Sequence, residues 1–123
     1  MTTFKSYRDL SLAESDAFGE RIYEVTQKFP TDERFGLTNQ LRRAAVSVPS
    51  NLAEGHARFG AGEFSRFLSI TMGSVAELET QILLSLNLGY IKEPVTHELL
   101  AERDVVGKML RGLAKSIERR RHT

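Results

Sequence analysis

Apolar residues recur every three or four positions along most of the chain, and no long run alternates strictly between apolar and polar residues. In the first such run, Phe18, Ile22, Val25 and Phe29 fall on one helix face. This spacing is typical of amphipathic helices that bury one side. The whole pattern predicts four helices, at about residues 10–29, 33–58, 62 or 63 to 88, and from 95 onward.

Proline and glycine mark the first two connections. Pro30 ends the first helix because a proline disfavours helical geometry in the residue before it. Thr31 or Asp32 is predicted to cap the second helix by accepting its free backbone N–H groups. Three glycines within residues 55–62 predict the turn to the third helix.

The third connection is predicted at Gly89, in the left-handed conformation that commonly follows a helix, and Thr96 is predicted to cap the fourth helix. Helices joined by short turns run antiparallel to each other. We therefore expect an all-α fold, an antiparallel up-down-up-down four-helix bundle. It forms one domain over residues 1–123, with residues 1–8 and 119–123 as flexible ends.

Pro49 stands inside the apolar stripe of the second helix. A proline there removes one backbone hydrogen bond and costs about 3 kcal/mol in an exposed helix. The apolar phase set by Leu41 and Val48 continues at Leu52, which favours a kinked but continuous helix.

A polar ridge follows the same helix, within an arc of about 80 degrees. Its members are Arg43, Ser47, Ser50, Glu54 and Arg58. Three interpretations remain open: a solvated face, short side chains such as Asn51 that satisfy the carbonyl freed by Pro49, or pairing of Arg43 and Glu54 with Glu77 on the third helix.

The third helix carries more apolar residues than one buried face requires. We predict that the excess covers a second copy of the chain, since a small bundle has little other protein to cover it. The predicted contact residues are Phe67, Ile70, Met72, Gly73 and Ser74. The alternative is a helix packed centrally in its own bundle.

Composition excludes several kinds of chemistry. The 123 residues include no Cys, which removes disulfides, thiolate metal sites and thiol nucleophiles. No Glu-x-x-His pair of the di-iron bundles occurs, and the three histidines are far apart in sequence. We see no activated serine and no P-loop, and we expect no catalytic residue, no metal and no cofactor. The first 20 residues hold no signal peptide, and no segment is long and apolar enough to span a membrane, so we expect a cytoplasmic protein.

Charge is unevenly distributed although 17 Lys and Arg nearly balance 16 Asp and Glu. Residues 105–123 carry six basic residues and one acidic residue, a local charge of +5, whereas residues 1–40 carry −2 and residues 71–104 carry −4. The basic residues of this end are Lys108, Arg111, Lys115, Arg119, Arg120 and Arg121. Such an end permits phosphate contacts but does not require them.

Several short motifs stand in unbroken order between about residues 18 and 92. In the first half they are Phe29-Pro30, Glu33, Phe35-Gly36-Leu37, Gln40, Arg42-Arg43-Ala44 and Ser47-Val48-Pro49-Ser50-Asn51-Leu52-Ala53-Glu54-Gly55. In the second half they are Glu63-Phe64, Phe67-Leu68, Gly73-Ser74, Glu77-Leu78-Glu79-Thr80 and Leu88-Gly89-Tyr90-Ile91. Together they resemble the signature of the 23S rRNA intervening-sequence four-helix bundle family, which includes the accessory variability determinant of diversity-generating retroelements.

The resemblance implies an antiparallel four-helix bundle that assembles into a ring-like homopentamer without catalytic activity. For the retroelement relative it also implies a basic, nucleic-acid-binding surface and a reverse-transcriptase partner. Arg42, Arg43 and Arg58 match basic positions of the signature. Its kink and helix end are matched by Pro49, Asn51, Glu54 and Gly55. The near-neutral charge of this chain departs from the strongly basic retroelement member.

Our first hypothesis is a non-enzymatic homo-oligomer that offers a composite basic surface to RNA, DNA or a nucleic-acid-processing enzyme such as a reverse transcriptase. The predicted contacts are Arg42, Arg43, Arg58, Arg119, Arg120 and Arg121. The second hypothesis is an assembly or adaptor module that binds only protein. An enzyme would have to rely on Glu54 or Glu77 with Arg43, which has almost no support in the sequence.

Overall fold

The computed structural model describes residues 7–58 and 60–121, with side chains described over 12–58 and 60–119. The described residues form four α-helices and one 3₁₀ helix, without strands. The α-helices are α1 (Tyr7–Thr26), α2 (Leu37–Ala57), α3 (Ala61–Asn87) and α4 (Glu93–Arg121), and the 3₁₀ helix is Thr31–Glu33. The all-α prediction is confirmed.

The helices form a four-cornered bundle. Each helix packs against its neighbours in sequence and α1 also packs against α4, while the described parts of diagonally opposite helices make no close backbone approach. One end of the bundle holds residues 27–36 and 88–92 and is called the Tyr90 end below. The opposite end holds the connection from α2 to α3 at residues 58–60 and is called the Arg58 end.

The core lies between the four helices, and each helix contributes side chains to it at helical spacing. These side chains are apolar, so their burial is the main force that holds the bundle together. The largest fully buried apolar ones are Phe18, Ile22, Leu41, Leu52, Leu78, Ile82, Leu99 and Leu110.

The Tyr90 end is fixed by one glutamate. The Oε1 atom of Glu33 accepts the backbone N–H of Leu37 at 3.0 Å, and its Oε2 atom accepts the hydroxyl of Tyr90 at 2.7 Å. These bonds, first the one from Leu37, lower the pKa of Glu33, and the bond to the Glu33 carboxylate raises the pKa of Tyr90. The rings of Phe29 and Tyr90 also pack at a centroid distance of 5.3 Å.

The prediction that Thr31 or Asp32 caps α2 is therefore wrong. Gly36 is the N-cap residue and has no side chain, so Glu33 reaches across it to the first turn. A Cβ atom on Gly36 would stand 2.6 Å from the Oε1 atom of Glu33, which explains why this position suits glycine.

The α3–α4 connection begins with the predicted left-handed glycine, Gly89, at φ 81°. Its N–H bonds to the carbonyl of Leu86 at 3.0 Å, and the N–H of Tyr90 bonds to the carbonyl of Ser85 at 2.9 Å, which together close a Schellman motif. Thr96 does not cap α4, because the helix begins at Glu93. Thr96 is buried, and its hydroxyl donates to the Lys92 carbonyl at 2.9 Å.

α2 continues through Pro49 as predicted. Asn51 donates through Nδ2 to the carbonyl of Ser47 at 2.8 Å and to its hydroxyl at 2.9 Å, and the Ser47 hydroxyl bonds to that of Ser74 on α3 at 2.9 Å. Gly55 lies inside α2, within the predicted helix 33–58, and the turn begins later than the predicted 55–62, because the helix runs on to Ala57.

Candidate nucleic-acid interface

The arginines predicted to bind nucleic acid lie at two different levels of the bundle. Arg42 and Arg43 lie near the start of α2, while Arg58 directly follows its end. At 1.5 Å per residue, Arg42 and Arg58 are roughly 24 Å apart along the helix axis. The structure therefore does not bring the predicted residues into one patch within a single chain.

Arg42 is a structural residue in this fold. Its Nε donates to the hydroxyl of Thr26 at 2.9 Å, its Nη2 donates to the Tyr23 carbonyl at 3.4 Å, and its guanidinium lies 4.7 Å from the centroid of the Tyr23 ring. The Tyr23 carbonyl already accepts the backbone N–H of Gln27 at 3.2 Å, so Arg42 adds a further contact to the last turn of α1. Arg42 thus holds α2 against the end of α1.

The Arg58 end carries a more compact group, the arginine cluster, formed by Arg58, Arg66 and Phe67. The guanidinium of Arg58 lies 5.5 Å from the centroid of the Phe67 ring, and that of Arg66 lies 5.4 Å from it. Glu54 neutralises part of this charge, with its Oε1 atom 2.9 Å from Nη2 of Arg58. Arg66 is exposed and forms no ion pair with the described residues.

Gly55 sets the position of this cluster. A Cβ atom on Gly55 would stand 3.0 Å from the Cβ of Phe67, closer than most side-chain contacts. The missing side chain lets α3 approach α2, and this approach places the Phe67 ring under the two arginines. Gly55 and Phe67, which belong to separate sequence motifs, thus meet where α2 packs against α3.

Arg66 was missed by our sequence analysis. Its neighbours in sequence, Ser65 and Phe67, give no sign of a basic site. Only the α2–α3 packing brings Arg66 to the same ring as Arg58.

The outer face of α4 adds a second line of positive charge. Lys108, Arg111, Lys115 and Arg119 follow each other at steps of three, four and four residues, and all four are exposed. No ion pair joins them to the described residues. Arg119 lies near the Arg58 end, and the side chains of Arg120 and Arg121, like residues 122–123, lie outside the described residues.

The predicted oligomer contact on α3 does not form one continuous surface. Phe67 and Ser74 are only 6% and 7% exposed and face α2, so the prediction that Phe67 lies outside the bundle interior is wrong. Ile70, Met72 and Gly73 are exposed. Each residue of an α-helix is rotated by about 100 degrees from the one before it, so Ile70 and Met72, two positions apart, point to different sides of α3. For these three residues, contact with a second copy stays a prediction.

The polar ridge of α2 is divided between two roles. Ser47 turns towards Ser74 of α3, whereas Glu54 and Arg58 form an exposed ion pair. Arg43 is exposed and is not paired with Glu77, which instead accepts a 3.4 Å hydrogen bond from Gln81 Nε2. The ridge therefore shows ordinary surface pairing and one helix contact.

Carboxylates elsewhere in the bundle are engaged with Arg21. This arginine joins α1 to α4, with its Nη2 atom 2.6 Å from Oε2 of Glu98, and its Nη1 atom 3.1 Å from Oε1 of Glu24. The hydrogen bond to Glu98 raises the pKa of Arg21. Burial raises the pKa of Glu102, although the positive charge of Arg21 opposes this shift.

Within the described residues, no group of three or more His, Asp or Glu side chains is arranged to hold a metal ion. None of the described helices combines the length and the apolar character needed to cross a bilayer.

The comparisons with known proteins agree with the geometry of the bundle. The family model of the 23S rRNA-intervening sequence protein matches residues 11–112, which is most of the chain. The chain belongs to this family. It is similar to a solved protein of unknown function from the S23 ribosomal protein family of Bacteroides thetaiotaomicron VPI-5482. The two have a TM-score of 0.82 and 19% sequence identity, and the match covers 89% of this chain and 99% of that one. This likeness supports the fold, and no curated protein matches the chain.

Proposed function

We propose that this protein is a non-enzymatic, self-associating helical bundle whose Arg58 end binds the phosphates of nucleic acid, alone or together with a nucleic-acid-processing enzyme. The observation that carries the proposal is the arginine cluster, in which one ring supports two exposed guanidinium groups. Arginine suits phosphate recognition because its planar group donates several hydrogen bonds at once. Arg119 adds a further exposed cation near the same end.

Self-association strengthens such a site. The family resemblance implies a pentamer, which would present five arginine clusters on one particle. Linked sites of modest affinity gain from effective concentration, because the first contact holds the others close to the ligand. The pentamer predicts a native mass of five times the 13.8 kDa of the chain.

The test compares matched pairs of substitutions. We expect Arg58→Gln with Arg66→Gln to weaken binding of labelled RNA and DNA and to lower the slope of log K against log salt by about 0.7 to 0.9 for each lost contact. Lys28→Gln with Lys92→Gln removes two exposed cations from the Tyr90 end and is the control. Equal effects of both pairs, binding that does not vary with salt, or no binding at low salt would contradict the proposal.

A second function is favoured by the nearly neutral charge and by the exposed apolar side chains of α3. Those side chains are Ile70, Met72, Leu83 and Leu84. In this alternative the bundle is an assembly or adaptor module that binds only protein. A purified particle of defined size that is free of nucleic acid by its absorbance ratio, and binds none at low salt, would favour it.

A further inference from the structure

A groove lies between α1 and α2. It has a volume of about 490 Å³. Its floor is apolar, formed by Ala45, Val46 and Pro49, and Gly19 leaves it open on the α1 side. Val46 is 46% exposed, so the floor offers apolar surface that a partner would cover.

The rim of this groove is acidic. Asp16 and Glu20 lie along α1 at a spacing of four residues, followed by Glu24 after four more. Glu24 is paired with Arg21, whereas Asp16 and Glu20 form no ion pair with the described residues. No basic side chain lines the groove.

The floor also contains a backbone carbonyl that lacks its α-helical donor. Pro49 has no N–H, so the carbonyl of Ala45 receives no α-helical hydrogen bond. This oxygen lies beside Gly19, where a Cβ atom would stand 3.8 Å from it. An apolar floor and an acidic rim together favour basic side chains with aliphatic stems.

The same chain carries a surface that fits this description. Lys108, Arg111 and Lys115 follow the outer face of α4. Val105, one turn before Lys108, is 44% exposed. From Lys108 to Lys115 this face is about 10 Å long, and the acidic rim from Asp16 to Glu24 is about 12 Å long. The two surfaces therefore match in charge, apolar content and length.

We infer that the outer face of α4 in one copy docks in the α1–α2 groove of the next copy. This inference rests on the self-association proposed above, and it replaces α3 as the main contact. Because the two surfaces lie on different sides of the bundle, each copy uses both, and the contact is head-to-tail. A ring of copies satisfies all such contacts, and the contact uses neither Arg58 nor Arg66.

Charge reversal tests the contact, with particle size read by sedimentation and helicity by circular dichroism. We expect Asp16→Lys with Glu20→Lys, or Lys108→Glu with Lys115→Glu, to raise the dissociation constant of the particle at least about 100-fold, because two close ion pairs become repulsive. All four substitutions in one chain restore the pairs with opposite sign and are expected to recover the particle. Lys28→Glu with Glu77→Lys, two exposed residues outside both surfaces, is the control.

The outcomes separate this contact from the proposed function. Unchanged size in either reversed variant overturns the contact, as does a folded fourfold variant that stays dissociated. Dissociation by Ile70→Gln while the reversed variants remain assembled places the contact on α3 and also overturns it. A native chain that is monomeric at high micromolar concentration overturns self-association itself, whereas loss of nucleic-acid binding only on changing Arg58 and Arg66 leaves the contact standing.

Discussion

The two ends of the bundle use their polar groups in opposite ways. At the Tyr90 end, the carboxylate of Glu33 accepts a backbone N–H and the Tyr90 hydroxyl, so its charge is directed inward. At the Arg58 end, the exposed guanidinium groups of Arg58 and Arg66 lie against the Phe67 ring, and Glu54 engages one donor of Arg58. The first end engages its charge within the fold, and the second places two guanidinium groups at the surface.

Glycines of the family signature make room for different side chains at the two ends. Gly36 makes room for the carboxylate of Glu33, while Gly55 makes room for the side chain of Phe67. Both are close-contact glycines, but only the second lies under a cationic surface.

The largest effect is expected from Gly55→Val. The added methyl groups meet the Cβ of Phe67, and overpacking of this kind costs about 1–3 kcal/mol. A displaced Phe67 ring also moves both arginines, so we expect the proposed nucleic-acid binding to fall along with the stability, which is measured by urea unfolding.

Gly73→Ala is the matched control, since no atom lies within 4 Å of the added Cβ. Replacing glycine in an exposed helix by alanine is expected to stabilise the protein by up to about 1 kcal/mol. Destabilisation by Gly73→Ala, or a neutral Gly55→Val, would contradict the assignment of close packing to Gly55 and of open space to Gly73.

Glu33→Gln tests the Tyr90 end, with a smaller expected loss. The folded state lowers the pKa of Glu33, so its stabilising contribution is complete above the ordinary glutamate value of about 4.3 and is lost as the pH falls below it. We expect the variant to be less stable than the native chain at pH 7 and the difference to shrink at pH 3.5, measured by urea unfolding. Glu93→Gln, an exposed residue of the same end, serves as control. A difference that is independent of pH would show that the charge of Glu33 is not what holds this end.

Ser47→Ala with Ser74→Ala tests a contact in the middle of the bundle, away from both ends. The hydroxyl pair joins α2 to α3 at 2.9 Å, and a neutral hydrogen bond contributes about 0.5–1.5 kcal/mol. A double-mutant cycle on thermal unfolding measures the coupling, and additive losses would mean that the two hydroxyls act separately.

The smallest effect is expected from Phe35→Ser. This ring is 84% exposed at the Tyr90 end and contacts the Arg34 guanidinium at 5.0 Å. Exposed substitutions of this kind change the stability by less than about 0.5 kcal/mol. A larger loss in the purified protein, especially one that depends on concentration, would show that another molecule covers the ring.

Much of the fold follows from local pattern. Helical spacing predicted the four helices, and Gly89 predicted the end of α3, because both depend on residues near each other in sequence. Continuity through Pro49 was also predicted, since the apolar phase before and after it is the same.

The remaining features depend on tertiary contacts. Glu33 caps α2 only because Gly36 bends the chain between them. α3 packs against both α2 and α4, so these two helices cover a wide arc of its surface. Phe67 lies within this arc and is therefore buried, although it falls outside the narrow face that the sequence pattern assigned to the core. Arg58 and Arg66 reach the same Phe67 ring only through that packing, and the sequence alone contains no signal for this contact.

The hydrogen bond between Tyr90 and Glu33 spans 57 residues and fastens the α1–α2 hairpin to the α3–α4 hairpin. Their covalent link, residues 58–60, stands at the opposite end. The two helical hairpins are thus joined by the backbone at one end of the bundle and by the Tyr90–Glu33 hydrogen bond at the other end. Cleavage of the backbone within residues 58–60 is expected to leave two fragments that reassociate when they are mixed.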